Sequence, residues 1–200
     1  MSTMPQPTER VPAPGRLKLV QDFVNTIDYE ERQDEIGTPA ALKSWLGAHR
    51  LSRGPARVGP AEVVRVARVR EALRRLLYVN NGAHPDAEAA AVLDRAARGA
   101  QLEVRFSANG DAYLAPCAQG VDGALGAILA VVHTSVVDGS WNRLKACPAE
   151  QCGWAFFDSS RNRSSTWCSM QTCGNREKVR TFRLRHAHAR GKKPKAAPRG

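Results

Sequence analysis

The chain has 200 residues, 30 of them Lys or Arg against 19 Asp or Glu, and a sequence pI near 10.0. That length suits one ordinary domain plus a small module. The opening MSTMPQPTERVPAPG has no apolar h-region and no small-residue cleavage site, which argues against a secretion signal. No window approaches the roughly 18 consecutive apolar residues of a membrane span, so the expectation is a cytoplasmic protein with reduced thiols and no membrane partner.

Taken in chain order, residues 1–15 are Pro-rich and are expected to be disordered. LKLVQDFVNTIDYE then sets Leu17, Val20, Val24 and Ile27 at helical spacing, with Gln21, Asn25 and Asp28 on another face. Asp22, Asn25 and Tyr29 on the polar side of this helix are candidates for a small-molecule pocket; the alternative is a solvent-facing side. Thr38-Pro39 reads as an N-cap followed by proline at the first helical position. After the loop SRGPARVGP, Val66, Val69, Leu73 and Leu76 form an apolar stripe, with Arg65, Arg68 and Arg75 outward. Pro85-Asp86 opens an alanine-rich helix that closes near Gly99. LEVRFSANGDAYLAP alternates apolar and polar residues around Asn109-Gly110, which predicts a β-hairpin with a type I′ turn. Leu125, Ile128, Leu129, Val132 and Val136 trace a buried helix stopped by Gly139. The fold class is therefore α+β. A mostly helical domain with a small hairpin spans residues 16–139, a cysteine-rich module 141–190, and a disordered basic tail 191–200. There is no internal repeat.

Charge is divided unevenly. Trp141–Gly200 carries fourteen Lys/Arg and three acids, whereas residues 1–140 hold sixteen of each. The whole excess thus sits with the cysteines, and a basic surface of this kind attracts phosphate backbones.

Four of the five cysteines fall between positions 147 and 173 in two pairs, Cys147/Cys152 and Cys168/Cys173, each spaced by four residues. Disulfides and metal compete as explanations. A reducing compartment favours metal, and four thiolates suit one tetrahedral Zn²⁺ per chain better than calcium or magnesium. An iron–sulfur cluster takes the same ligands and is the alternative. Trp154, Phe156, Phe157 and Trp167 lie between or beside the pairs. In so small a module they are needed for folding, with base stacking as the alternative role. Cys173-Gly174-Asn175-Arg176 reads as a turn into the helix EKVRTFRLRHAHAR. There Arg176, Arg180 and Arg183 share a face, and Val179 and Phe182 point toward the module's core. With Lys178, and with Arg161 and Arg163 in the preceding loop, these arginines are the candidate contacts to double-stranded DNA. His186 and His188 read as solvated, Cys117 as a buried hydrophobe, and His133 as a satisfied core histidine.

The run C-x4-C-x-W-x-F-F-D-x-S-R-N-R-S-x-x-W-C-S-M-x-x-C-G-N-R-x-K resembles the CGNR zinc finger of bacteria. DFVNT (Asp22–Thr26), LKSWL (Leu42–Leu46) and REALRRLL (Arg70–Leu77) are similar to the ABATE domain commonly joined to it. The resemblance covers nearly the whole chain. It implies a stress-responsive transcription regulator with zinc on Cys147, Cys152, Cys168 and Cys173. Where the family commonly has a basic residue before its second Trp-Cys, this chain has Ser165-Thr166, which implies one phosphate contact fewer.

The leading expectation is a DNA-binding regulator whose N-terminal domain receives a small-molecule or stress signal. The alternatives are a zinc–thiolate redox sensor and an RNA-binding or purely structural module. An enzyme is not expected. Four cysteines close the coordination sphere, and no Gly-rich phosphate loop, Gly-x-Ser-x-Gly or His-Glu-x-x-His stretch occurs.

Overall fold

The computed structural model describes residues 10–51 and 57–191, with side chains through 186. Residues 1–9 and 192–200, within the two stretches expected to be disordered, lie outside the described residues, as does the side chain of His188. The chain builds α1 (Leu17–Val24), the short strands β1 (Ile27–Asp28) and β2 (Gln33–Asp34), α2 (Pro39–Ala48), α3 (Pro60–Asn80) and α4 (Ala87–Ala100). The hairpin β3 (Leu102–Phe106)/β4 (Ala112–Pro116) follows, then α5 (Gly120–Val137), the hairpin β5 (Leu144–Ala146)/β6 (Ala155–Phe157), and α6 (Asn175–Gly191). Each sheet is a two-stranded antiparallel pair. Helical content predominates, as the α+β reading requires.

The helix starts follow local chemistry. Thr38 caps α2 by accepting from the Ala41 N–H with Pro39 behind it, and Asp86 caps α4 by accepting from the Ala89 N–H. α3 begins at Pro60 with the Glu62 carboxylate reaching back to the Gly59 N–H. The β3–β4 connection differs from the expected two-residue turn. A Gly110 N–H to Ser107 carbonyl bond closes Ser107–Gly110, and only Gly110 is left-handed, at φ +86°. A type I′ turn needs positive φ at both central residues, and Asn109 does not have it.

The core is held by α1, α2, α3 and α5. Val20, Phe23, Leu42, Leu73, Leu77 and Ile128 are fully buried. Contrary to the expectation of no such segment, α5 is, among the described residues, the one helix long and apolar enough by length and composition to cross a membrane. Packing explains its composition: α5 is covered by α1, α3, α4 and β4, and more than half of it is buried. Only its end emerges, with Val136, Val137 and His133 exposed, so His133 is not a core histidine. Val104 and Phe106 are also exposed, because the two-stranded β3–β4 ribbon meets α5 mainly through β4.

The cysteine-rich segment does not stand apart from this core. Trp141, Leu144, Ala146 and Ala155 belong to the same apolar cluster as α1 and α3. The polar face of α1 is buried for the same reason. Asn25 donates to the Ala155 carbonyl (2.9 Å) and accepts from its N–H (2.7 Å), and Gln21 donates to the same carbonyl (3.2 Å). Gln21 also accepts from the Ala13 N–H at 2.7 Å, which ties down residues that composition alone marked as disordered. Asn25→Ala should leave the buried Ala155 N–H unsatisfied and lower stability by about 1–3 kcal/mol. Urea denaturation followed by far-UV circular dichroism would measure it, and an unchanged midpoint would show the seam to be unimportant.

Candidate metal centre

The β5–β6 hairpin places the first cysteine pair. Cys147 directly follows β5, and Cys152 lies just ahead of β6. The Cys147 N–H bonds to the Trp154 carbonyl (2.9 Å) and the Cys152 N–H to the Ala149 carbonyl (3.0 Å), which folds the intervening residues into a knuckle. Gly153 is left-handed at φ +61°, and a Cβ there would sit 3.0 Å from the Tyr78 hydroxyl, so the turn requires glycine. Of the second pair, Cys173 sits on a π-helical turn, Met170–Gly174, that runs directly into α6, and Cys168 lies just ahead of that turn. Ser169 caps this turn by accepting from the Thr172 N–H.

The four sulfurs lie within 4.8 Å of one another. Cys152–Cys168 and Cys168–Cys173 are each 3.6 Å apart, and no cysteine is in a disulfide. A tetrahedral zinc site with bonds of about 2.3 Å needs sulfurs about 3.8 Å apart, whereas a disulfide needs about 2.05 Å. The separations therefore fit one zinc ion and do not fit a disulfide. Crowding sets the thiol chemistry. Hydrogen bonding from Cys152 and Cys168 pulls the Cys147 thiol down, while sharing with Cys147 pushes Cys152 and Cys168 up. Four thiolates at this spacing repel, and a divalent cation at their centre removes the conflict. All four positions come from protein, which makes the site a closed structural one.

The surroundings were not visible in the sequence. In the hairpin, Leu144, Ala146 and Ala155 turn into the main core, while Lys145 and Phe156 face the other way. Lys145, almost fully buried, pairs with the buried Asp158 at 2.8 Å and donates to the carbonyls of Arg163 and Ser165. Asp158 also accepts from the Ser160 N–H and hydroxyl and the Ser165 N–H, which shapes the loop between the cysteine pairs. Burial alone would raise its pKa, but Lys145 and the Ser160 donors hold it well below the usual carboxylate range. Arg10 donates to the Trp167 and Cys168 carbonyls at 2.8 and 3.2 Å and lies over the Phe156 ring, so the N-terminal stretch clamps the second pair. Asn81, at the end of α3, bridges the Ala146 and Thr166 carbonyls. Arg74, also buried, donates to the Gly153 and Val24 carbonyls.

The other candidate residues are dispersed. Trp154 and Phe156 are buried in the small cluster around the cysteines, while Trp167 is half-buried. Arg161, Arg163, Lys178 and Arg183 are exposed. Arg176, Arg180 and Arg183 line one groove of about 720 Å³ beside α6, but Arg176 is paired with Glu30 (2.8 Å) and Arg180 with Glu177 (2.7 Å). Val179 and Phe182 do not reach the module's core. They are 49 % and 63 % exposed, because α6 leaves the body immediately after the cysteine turn. His186 is exposed and packs on Phe182. Cys117 is half-buried and accepts from Arg105. Asp22, Asn25 and Tyr29 do not meet in one cavity. α1 ends at Val24, Asn25 is spent on Ala155, and Tyr29 bonds to Glu71, its pKa pushed to about 12 by burial and that bond. Asp22 lines a different groove, paired there with Lys18.

Two outcomes follow from this geometry. Purified protein should hold about one zinc per chain. Chelation or Cys168→Ser should expose Trp154 and Trp167 and free α6, while β5–β6 stays in the helical core, as mapped by hydrogen exchange. A zinc-free protein with an unchanged exchange pattern would refute this. Separately, Asp158→Ala strands the buried Lys145 charge and should cost about 3–5 kcal/mol at pH 7. Because the folded pKa of Asp158 is depressed, its contribution is present above the unfolded value of about 3.9 and is lost as pH falls through the folded one. The gap between wild type and variant, read from urea midpoints at fixed zinc, should therefore narrow below about pH 4; a constant gap would show that the carboxylate charge is not what matters.

Residues 143–186 match the family model described as the CGNR zinc finger, and residues 17–138 match the ABATE model, described as "Putative stress-induced transcription regulator". No curated protein matches the chain. The second match covers well over half of the sequence and the first covers the entire cysteine site. The chain belongs to the ABATE family and ends in a CGNR zinc finger.

Proposed function

We propose that this protein is a zinc-dependent DNA-binding transcription regulator of the bacterial cytoplasm, not an enzyme, with its N-terminal domain receiving a small-molecule or stress signal. One observation carries the reading: α6 springs directly from the turn that holds Cys173 and turns Arg176, Arg180 and Arg183 into one groove. A helix rooted in this way presents guanidinium groups at a fixed angle, which suits phosphates or guanine edges. The basic excess of the last sixty residues supplies the long-range attraction. Glu30 and Glu177 neutralise two of the three arginines in the free protein, and a duplex would replace those carboxylates with phosphates.

Duplex binding followed by fluorescence anisotropy should weaken steeply with salt. Arg183→Ala should lower affinity, with a salt slope shallower by about one unit if the contact is to phosphate. If the side chain reads a guanine, the loss should instead be about 1–3 kcal/mol and confined to particular sequences. Glu177→Gln should strengthen binding by releasing Arg180. Structured RNA run in parallel tests the RNA alternative, and zinc-loaded protein that binds neither polymer would end the regulator reading.

A redox role for the same thiolates is favoured by one feature. Cys152 is only half-buried, and a cavity of about 150 Å³ reaches Cys152, Cys168 and Cys173 beside the buried Trp154. Release of zinc by hydrogen peroxide, with loss of duplex binding, would favour it; duplex binding indifferent to peroxide would oppose it.

A further inference from the structure

On the far side of α1 from the zinc hairpin lies a groove of about 490 Å³, bounded by α1, the end of α2, β4 and α5. That volume is in the range of small-molecule sites. Its floor is apolar: Leu19, Leu51, Leu114, Pro116, Ala127 and Ala130. Its rim is cationic, with Arg16, Lys18 and Arg50 against the single carboxylate of Asp22. Lys18 and Asp22 neutralise each other, with both carboxylate oxygens at 2.6 and 2.8 Å. Arg16 and Arg50 are exposed, and their guanidinium groups have no ion-pair or hydrogen-bond partner among the described residues. Tyr113 stands at the edge with half its surface open.

From this combination we infer that the groove binds a small amphiphilic anion, an apolar body carrying a carboxylate or sulfonate that Arg16 and Arg50 receive. The apolar floor favours a ligand with an apolar body over a fully polar one such as free phosphate, which would leave that surface wet, and the unpaired guanidiniums disfavour a cation or a neutral hydrocarbon. The site deepens the signal-receiving half of the reading above and does not depend on the DNA-binding half. α1 supplies the link. Lys18, Leu19 and Asp22 line the groove, while Gln21 on the same helix and Asn25, its C-cap, hold the Ala155 peptide of the zinc hairpin. A ligand that shifts or stiffens α1 therefore acts on the hairpin that carries Cys147 and Cys152.

The test uses two probes with one apolar body, 8-anilinonaphthalene-1-sulfonate and the uncharged N-phenyl-1-naphthylamine, titrated by fluorescence into full-length zinc-loaded protein. The sulfonate should saturate at about one per chain and bind at least about tenfold tighter than the neutral amine, as a charge-assisted contact requires. The double variant R16E/R50E, exposed at both positions, should lose about that factor for the sulfonate and leave the amine unchanged. Leu114→Trp should weaken both by filling the floor. Equal affinity for the two probes, or an unchanged sulfonate affinity in R16E/R50E, overturns the assignment. Duplex binding of the wild-type protein without probe reports on α6 and not on the groove, so failure of one reading is distinguishable from failure of the other.

Discussion

The structure depends on a single peptide unit, that of Ala155. A cluster of four thiolates and a few aromatics is too small to fold on its own, so it must borrow a core. It does so through the β5–β6 hairpin, whose one face completes the helical core and whose other face floors the cysteine site. An edge strand driven into a helical core leaves backbone N–H and C=O groups with no ladder partner. Asn25 and Gln21 supply those partners at Ala155, and Asn80 and Asn81 do the same for the Leu144 and Ala146 carbonyls. Amide side chains suit this task because they carry a donor and an acceptor without a charge to desolvate.

Charges are nevertheless buried at the two ends of this seam, and their partners show why they are tolerated. Arg74 spans Val24 and Gly153, joining the end of α1 to the residue after Cys152, while Arg70 forks onto Asp34 and reaches Thr26. Glu71 lies between them, its pKa lowered despite burial because Arg74, Tyr29 and Arg70 all donate to it. Lys145 and Asp158 repeat the pattern on the other side of the hairpin. Such networks add little net stability over apolar packing, but each member becomes costly to lose once the others are fixed. They act as registers: a hairpin displaced by one residue would leave several charges unpaired at once.

The sequence made some of this legible and concealed the rest for physical reasons. Local signals worked where the chemistry is local, at the Thr38 and Asp86 caps, the β3–β4 alternation and the paired spacing of the cysteines. Amphipathicity misled where a polar face was buried by a partner distant in sequence. Asn25 read as a candidate ligand residue and Gln21 as part of the polar face, yet both meet β6 about 130 residues later. The same limit hid Arg10, Arg74 and Asn81, whose side chains serve backbone carbonyls and leave no trace in periodicity. α6 erred in the opposite direction. Val179 and Phe182 have helical spacing for a core, but the chain leaves the body before they can reach one.

That departure bears on how the two halves of the protein are joined. Beyond the cysteine turn, the ion pair of α6 to the N-terminal domain is Arg176 to Glu30, and both side chains are about half exposed. An exposed pair of that kind is worth little, so it cannot by itself fix the direction of the helix. Orientation must come from the turn at Cys168–Cys173, hence from the metal and from the hairpin that positions the other two ligands. Glu30 follows β1, and Arg74, which lies over Tyr29, holds both the end of α1 and Gly153. A displacement of α1 would therefore reach α6 by two routes, through Ala155 to the first cysteine pair and through the Tyr29–Glu30 turn to Arg176. Both routes end on the same helix, one setting its root and the other releasing or retaining a cation on its face.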